Sequence, residues 1–322
     1  MHPRLFELLG IAFPSYFMLL GLGFLIATAM GVLWAKRIGH DPDVVVDLGI
    51  GMLIAGIVGA RLLHVVADGY FWDYVHICTD PVKVGWRVTE LECGSPGLEG
   101  TWDAARAVCV PEPHRDWVHQ LGRCFSWANL AAGGLTYYGG FLGATAAAVF
   151  LLKRDRFPFW RAADMAAMVV PLGLAFGRMG CLLAGCCFGG LLDAPWGLSF
   201  PAGSPASESQ WREGILASPR LASLPVHATQ VYEAASALGI SALLTLVVHE
   251  RKRYDGQLFM MFVALYAAVR FVLEFWRMDD RGSVLGMSTS QLIGIALIFA
   301  AVAGHHVLRG RGENQPSRRT PA

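Results

Sequence analysis

This chain is short of charge: Asp, Glu, Lys and Arg make up 16% of its 322 residues, against 54% hydrophobic ones. A soluble domain carries about a quarter of its residues as charges, so the deficit excludes an ordinary soluble fold and points to lipid as the solvent. An excess of either sign is missing too. The formal net charge is +1 and the basic residues fall in short separated clusters, which leaves no electrostatic footprint for nucleic acid. There is no internal repeat, heptad register or low-complexity core. Only Arg4 precedes the first apolar run while Lys36 and Arg37 follow it, so the basic leader of a secretory signal is lacking and the run is expected to stay as an anchor. The paired CxxC spacing of common zinc sites is also absent.

What the chain does have is apolar runs of about 20 residues, the length that crosses a bilayer as a helix. About seven occur, near 12–34, 44–67, 133–152, 161–181, 227–249, 257–276 and 287–307, predicting an all-α integral membrane protein. Lys36 and Arg37, the group Lys153, Arg154, Arg156 and Arg161, the group Arg251, Lys252 and Arg253, and Arg309, Arg311, Arg318 and Arg319 all fall on one side of such an arrangement. The positive-inside rule makes that side cytoplasmic. The N-terminus is then outside, the C-terminus inside, and loops 68–132, 182–226 and 277–286 form an outward cap. Residues 1–309 read as one transmembrane domain, and 310–322 as a polar, basic, disordered tail.

Cysteine placement bears on the same topology. Cys78, Cys93, Cys109 and Cys124 all lie in the first outer loop, an even set expected to form up to two disulfides in an oxidising compartment, with three pairings open. Cys181, Cys186 and Cys187 form a second cluster at a membrane edge.

Two arginines stand at the ends of apolar runs, where a guanidinium costs on the order of 3 kcal/mol unless it meets an anion or a wet cavity. Arg178 ends the fourth run inside Gly177-Arg178-Met179-Gly180-Cys181, and the segment continues to Gly189; its glycines permit close backbone approach to a ligand. Arg270, Glu274 and Arg277 are spaced i, i+4 and i+7, which predicts one helical face with Arg270 roughly 20 Å across the bilayer. A carboxylate between two guanidiniums orients them and leaves net positive charge for an anion. The third run enters through Gly133-Gly134-Leu135-Thr136-Tyr137-Tyr138-Gly139-Gly140, which suits tight helix packing with hydroxyls at headgroup depth. The fifth begins with His227, Gln230, Tyr232 and Glu233, polar for a span entrance. All four segments fall at outer helix ends, a convergence suited to a phospholipid headgroup.

At these residues the chain resembles the prolipoprotein diacylglyceryl transferases. The similar segments are Gly133–Gly143, Gly177–Gly189, Pro195–Pro201 (PWG..FP), His227–Glu233 (close to HPSQLYE) and Arg270–Arg277 (RF..EF.R), with Met287 and Gln291 at the start of the last helix. The resemblance implies seven transmembrane helices in the bacterial inner membrane and a site facing the periplasm. It also implies transfer of diacylglycerol from phosphatidylglycerol to the lipobox cysteine thiol of a prolipoprotein. Glycerol 1-phosphate would leave, with no metal or organic cofactor. Catalytic roles fall on Arg178 and Arg270, with Tyr138 and His227 as thiol-base candidates. Glu274, Arg277, Tyr16, Gly180, Gly189, Gln230 and Glu233 would bind phosphatidylglycerol. Two departures stand out: Tyr138 occupies the place of a family histidine, and Cys181, Ala184 and Cys186 replace the signature's two asparagines and glutamate. They motivate two rivals, a non-catalytic phospholipid-binding paralogue, and a thiol oxidoreductase or zinc site on Cys181, Cys186 and Cys187 with His227 as fourth ligand. A Cys181–Cys186 clasp fixing the loop is the plainer role for those thiols.

Overall fold

The computed structural model describes residues 4–8, 11–67, 69, 71–79, 83, 100–105, 108–111, 136–277, 283–284 and 286–313. Its helices are α1 (Ser15–Arg37), α2 (Pro42–Ala67), α3 (Phe71–Thr79), α4 (Tyr137–Arg154), α5 (Phe159–Ala184), α6 (Pro205–Arg212), α7 (Thr229–Leu243), α8 (Gln257–Leu273) and α9 (Thr289–Glu313). The α7 rod continues through a π turn, Leu244–Val248, and a 3₁₀ turn, His249–Arg251. Among the described residues three two-stranded hairpins pair β1 (Arg4–Leu8) with β2 (Ile11–Pro14), β3 (Gly100–Asp103) with β4 (Val108–Pro111), and β5 (Ser283–Val284) with β6 (Met287–Ser288). This is an all-α membrane protein.

Among the described residues six helices are long and apolar enough to cross a bilayer: α1, α2, α5, α7 with its continuation, α8 with the turn that follows it, and α9. The expected third run folds as α4, 18 residues long and ending in Lys153 and Arg154. Those two charges and Tyr137 and Tyr138 occupy a large share of so short a helix, which is why it falls below the apolarity of the others. One boundary moves. The tail expected from 310 is still helical to Glu313, because α9 continues its ladder past Arg309. Cys93, Cys124, Gly133, Gly134 and residues 314–322 lie outside the described residues.

The chain divides into two units, residues 1–45 with 157–322, and residues 46–156. In the smaller unit, α2 and α4 meet through glycines. A Cβ on Gly139 would collide with the Gly59 carbonyl oxygen, and one on Gly143 with that of Ala55, so these positions admit only backbone-to-backbone packing. Cys78 and Cys109 are each disulfide-bonded. Arg61, inside the α2 run, is buried, with Nη2 3.3 Å from the Tyr74 hydroxyl and the guanidinium 5.6 Å above that ring.

In the larger unit α5 packs against α1, α7 and α8. Gly23 of α1 lies so close to α5 that a Cβ there would stand 2.7 Å from that of Phe176. Ser241 of α7 donates to the Met168 carbonyl, 2.7 Å. At the α8 start, the buried Asp164 carboxylate accepts from the Gly256 and Phe259 amides, at 2.8 and 3.1 Å, and pairs with Lys252 at 2.9 Å. It serves as a through-space cap for the orphan amides of α8. α9 starts with a reciprocal capping box: Ser288 N–H donates to Gln291 Oε1 and the Gln291 amide to Ser288 Oγ.

Candidate functional site

The end of α5 sets the site. Gly185 takes a left-handed conformation with φ of 75°, its amide donating to the Leu182 carbonyl at 3.2 Å, while the Cys186 amide donates to the Cys181 carbonyl at 3.1 Å. This 6→1, 5→2 pair is a Schellman stop, which seats the residue after the glycine beside the one five positions before it. Cys186 therefore lies beside Cys181. Cys187 follows at φ of 63°, rare for a residue with a side chain, and the three sulfurs lie within 4.8 Å of one another. All three are free thiols, so the Cys181–Cys186 clasp is not formed. Hydrogen bonds from the Cys181 and Cys186 thiols, then the Arg178 and Arg277 guanidiniums, hold Cys187 below the ordinary thiol range.

The start of α7 grips this loop. Gln230 Nε2 donates to the Cys186 carbonyl at 2.7 Å and Thr229 Oγ1 to that of Cys187 at 2.8 Å. Gly189 exchanges with the other flank: its amide donates to the His227 carbonyl at 2.8 Å, and that of Gly190 to the Trp276 carbonyl at 2.8 Å. A Cβ on Gly189 would stand 2.5 Å from Trp276 O and 2.8 Å from both His227 Cβ and Thr229 Cγ2, which excludes any larger residue without movement. On the α1 side, a Cβ on Gly180 would be 3.1 Å from Tyr16 Cα, so this glycine brings Tyr16 against the α5 end.

One carboxylate collects both arginines. Glu233 Oε2, on a side chain only 1% exposed, lies 3.0 Å from Arg178 Nε and 3.5 Å from Arg270 Nη1. Its other oxygen accepts from the Tyr266 hydroxyl at 2.8 Å, and Arg270 Nη2 reaches Glu274 Oε2 at 3.4 Å. The Arg178 Nε–H lies close to Glu233 without pointing at it in hydrogen-bonding geometry. Burial disfavours the charged guanidinium, and Glu233 offsets that penalty. Among these five side chains, Arg178, Arg270 and Arg277 against Glu233 and Glu274 leave a single positive charge.

The expected single face of Arg270, Glu274 and Arg277 holds for its first two members only. α8 ends at Leu273, tightens into a 3₁₀ turn over Glu274–Trp276, and Arg277 is extended at φ −91° and ψ 142°. The Gly190 amide on the Trp276 carbonyl fixes this departure from the helical ladder.

Beside the charged cluster, between α7 and α8, runs an apolar groove of about 630 Å³ lined by Trp196, His227, Tyr232, Ser236, Val272 and Trp276, among others. The His227 ring lies 6.0 Å from Trp276 and 6.2 Å from Tyr232. Its Nδ1 and the buried Gln230 Oε1 have no hydrogen-bond partner among the described residues. Roofing this end, Leu198 pairs with Val226, and Phe200 is sealed with Ala206 and Val226.

The structure thus gathers Arg178, Arg270, Glu233, Glu274, Gln230, His227, Gly180, Gly189 and Tyr16 at one end of the larger unit. Tyr138 belongs to the smaller unit, where it is exposed and edge-on to Tyr137. Tyr266 escaped the sequence reading because it is a lone hydroxyl inside an apolar run; its i−4 spacing from Arg270 was the available signal. Arg61 was missed although an arginine inside an apolar run is the signal that marked Arg178. The groove residues Trp196, Ser236 and Trp276 carry no polar pattern that marks them.

Fold and cluster together define an integral membrane protein with a buried arginine–glutamate centre and an apolar groove between the two helices that carry Glu233 and Arg270. The profile of the family described as "Prolipoprotein diacylglyceryl transferase" matches residues 3–87 and 108–307, and the chain belongs to that family. Among curated relatives, phosphatidylglycerol--prolipoprotein diacylglyceryl transferase 2 of Clostridium perfringens is 26% identical over 312 residues, covering 95% of this chain and 96% of the relative. The Dehalococcoides mccartyi transferase is 27% identical over 320 residues, covering 99% and 97%. That of Sinorhizobium medicae reaches 34% over 151 residues, 46% of this chain and 48% of the relative.

Proposed function

We propose that this chain transfers the diacylglyceryl group of phosphatidylglycerol to the lipobox cysteine thiol of a prolipoprotein, from the periplasmic side of the bacterial inner membrane. The reading rests on one observation: two guanidiniums from separate helices converge on Glu233 beside a groove apolar enough for an acyl chain. In this reading the carboxylate holds Arg178 and Arg270 in place for the incoming phosphate, which they bind and whose departure they stabilise. The acceptor thiolate attacks the glyceryl carbon bearing the phosphate ester; a C–S bond forms, the C–O bond breaks, and glycerol 1-phosphate leaves with the electron pair. Each preorganised donor of this kind contributes about 3 kcal/mol to the transition state. His227, whose Nδ1 lacks a partner among the described residues, is the base candidate of the larger unit, and Gln230 Oε1 is an acceptor for the headgroup. The Lys and Arg clusters between spans support the outward orientation.

The test is purified protein in phosphatidylglycerol nanodiscs with a lipobox peptide, read by mass spectrometry. Expected are a diacylglyceryl shift on the cysteine and free glycerol phosphate, with Arg178→Ala slower by about 10²–10³-fold. Absence of product from monodisperse wild-type protein overturns the reading. A second reading, a phospholipid-binding paralogue without transferase activity, is favoured by the cysteines that replace the signature's asparagines and glutamate. It predicts retained phosphatidylglycerol and no product.

A further inference from the structure

We infer that Cys181, Cys186 and Cys187 form a three-thiolate site for a zinc-class divalent ion whose fourth position takes the acceptor thiol; its part in catalysis rests on the transferase reading above.

Three sulfurs within 4.8 Å of one another stand close to the geometry such an ion requires. Zinc–sulfur bonds of about 2.3 Å at tetrahedral angles separate the sulfurs by about 3.8 Å, so convergence needs sulfur movements of about 1 Å or less. The loop is built for it. The Schellman stop brings Cys181 and Cys186 together, Gln230 and Thr229 hold the carbonyls of Cys186 and Cys187, and Cys187 is kept in a left-handed conformation. These contacts fix the backbone that carries the sulfurs, as supporting contacts fix metal ligands in general. His227 is not in the ligand cluster, and no other His, Cys, Asp or Glu among the described residues completes it. Three protein ligands with one open position is the arrangement of catalytic rather than structural zinc.

A thiol that enters that position loses its proton on coordination. The acceptor cysteine would release its proton to water and remain as a metal-held thiolate, with Arg178 three residues from Cys181 on the same helix. It then attacks the glyceryl carbon as written above, without a histidine at position 138. Cys181, Cys186 and Cys187 thus supply thiol activation without a histidine base.

The experiment titrates Co(II) into the full chain in nanodiscs and compares it with the Cys181→Ser/Cys186→Ser/Cys187→Ser variant, which retains the loop cysteines as background. Expected is one equivalent of tetrahedral cobalt with thiolate charge-transfer absorption, absent from the triple variant and weakened by more than about tenfold in Cys186→Ser alone, because a ligand rather than an outer contact is lost. A lipobox peptide should shift the visible bands when it carries cysteine and not when it carries serine. Equal cobalt spectra in wild type and triple variant, or identical responses to the two peptides, overturn the site. Transfer that continues at full rate after chelation, with zinc absence verified by elemental analysis, overturns its catalytic part. Cobalt binding and the peptide shift without transfer under any metal leave the site standing and remove the transferase reading instead.

Discussion

Replacing Arg270 by lysine keeps the charge and removes the fork. The guanidinium spans two carboxylates, with Nη1 3.5 Å from Glu233 and Nη2 3.4 Å from Glu274. A single ammonium nitrogen cannot occupy both positions. Glu233 keeps Arg178 and Tyr266, so the loss falls mainly on Glu274, whose side chain is 7% exposed. A lost hydrogen bond to a buried charged group costs about 1.5–3 kcal/mol, which should appear as a lower unfolding midpoint in detergent. In the proposed transferase reading catalysis should suffer more, because the second nitrogen would also donate to the phosphate: about 3 kcal/mol, or roughly 10²-fold in kcat/KM. Arg270→Ala should cost about 3–5 kcal/mol in stability by leaving a buried carboxylate without its cation. The assay is transfer kinetics with thermal unfolding on the same preparations. Arg270→Lys within threefold of wild type in kcat/KM would refute the reasoning, since a point charge would then suffice.

Tyr266→Phe removes the hydroxyl on Glu233 Oε1 and should destabilise the protein by about 1.5–3 kcal/mol in thermal unfolding, with lost activity, although Tyr266 is placed away from the groove lining. Gly189→Ala forces a methyl against Trp276 O, His227 and Thr229, and should cost about 1–3 kcal/mol together with the seating of His227, read by unfolding midpoint and turnover. Ala268 also lines the groove, and in the proposed reading Ala268→Trp partly fills it and should raise KM for long-chain phosphatidylglycerol about tenfold with smaller effect on short-chain lipid, checked by a chain-length series.

The spans were readable because lipid dictates their length: each of the six long apolar helices starts and ends within a few residues of an apolar run, except α9, which extends its ladder into the basic tail. The Arg270–Glu274 pair was readable from spacing alone. Arg277 was not, since nothing local announces the 3₁₀ turn that Gly190 fixes from another segment. Glu233 was legible as a polar residue at a span entrance, but its role as shared partner of two arginines depends on how α5, α7 and α8 pack. The cysteine cluster had a signal that spacing rules for metal motifs overlook: Gly185 as a helix stop, with thiols at the two positions a Schellman turn joins.

The most direct measurement of the central claim is native mass spectrometry of the purified protein with phosphatidylglycerol and, separately, with diacylglycerol, which offers the same chains without a phosphate. The account predicts retention of phosphatidylglycerol over diacylglycerol by wild type, and loss of that preference in Arg178→Ala with the unfolding midpoint tracked alongside. Equal retention of the two lipids by wild type, or an unchanged preference in Arg178→Ala, would contradict the claim that the paired guanidiniums receive a lipid phosphate.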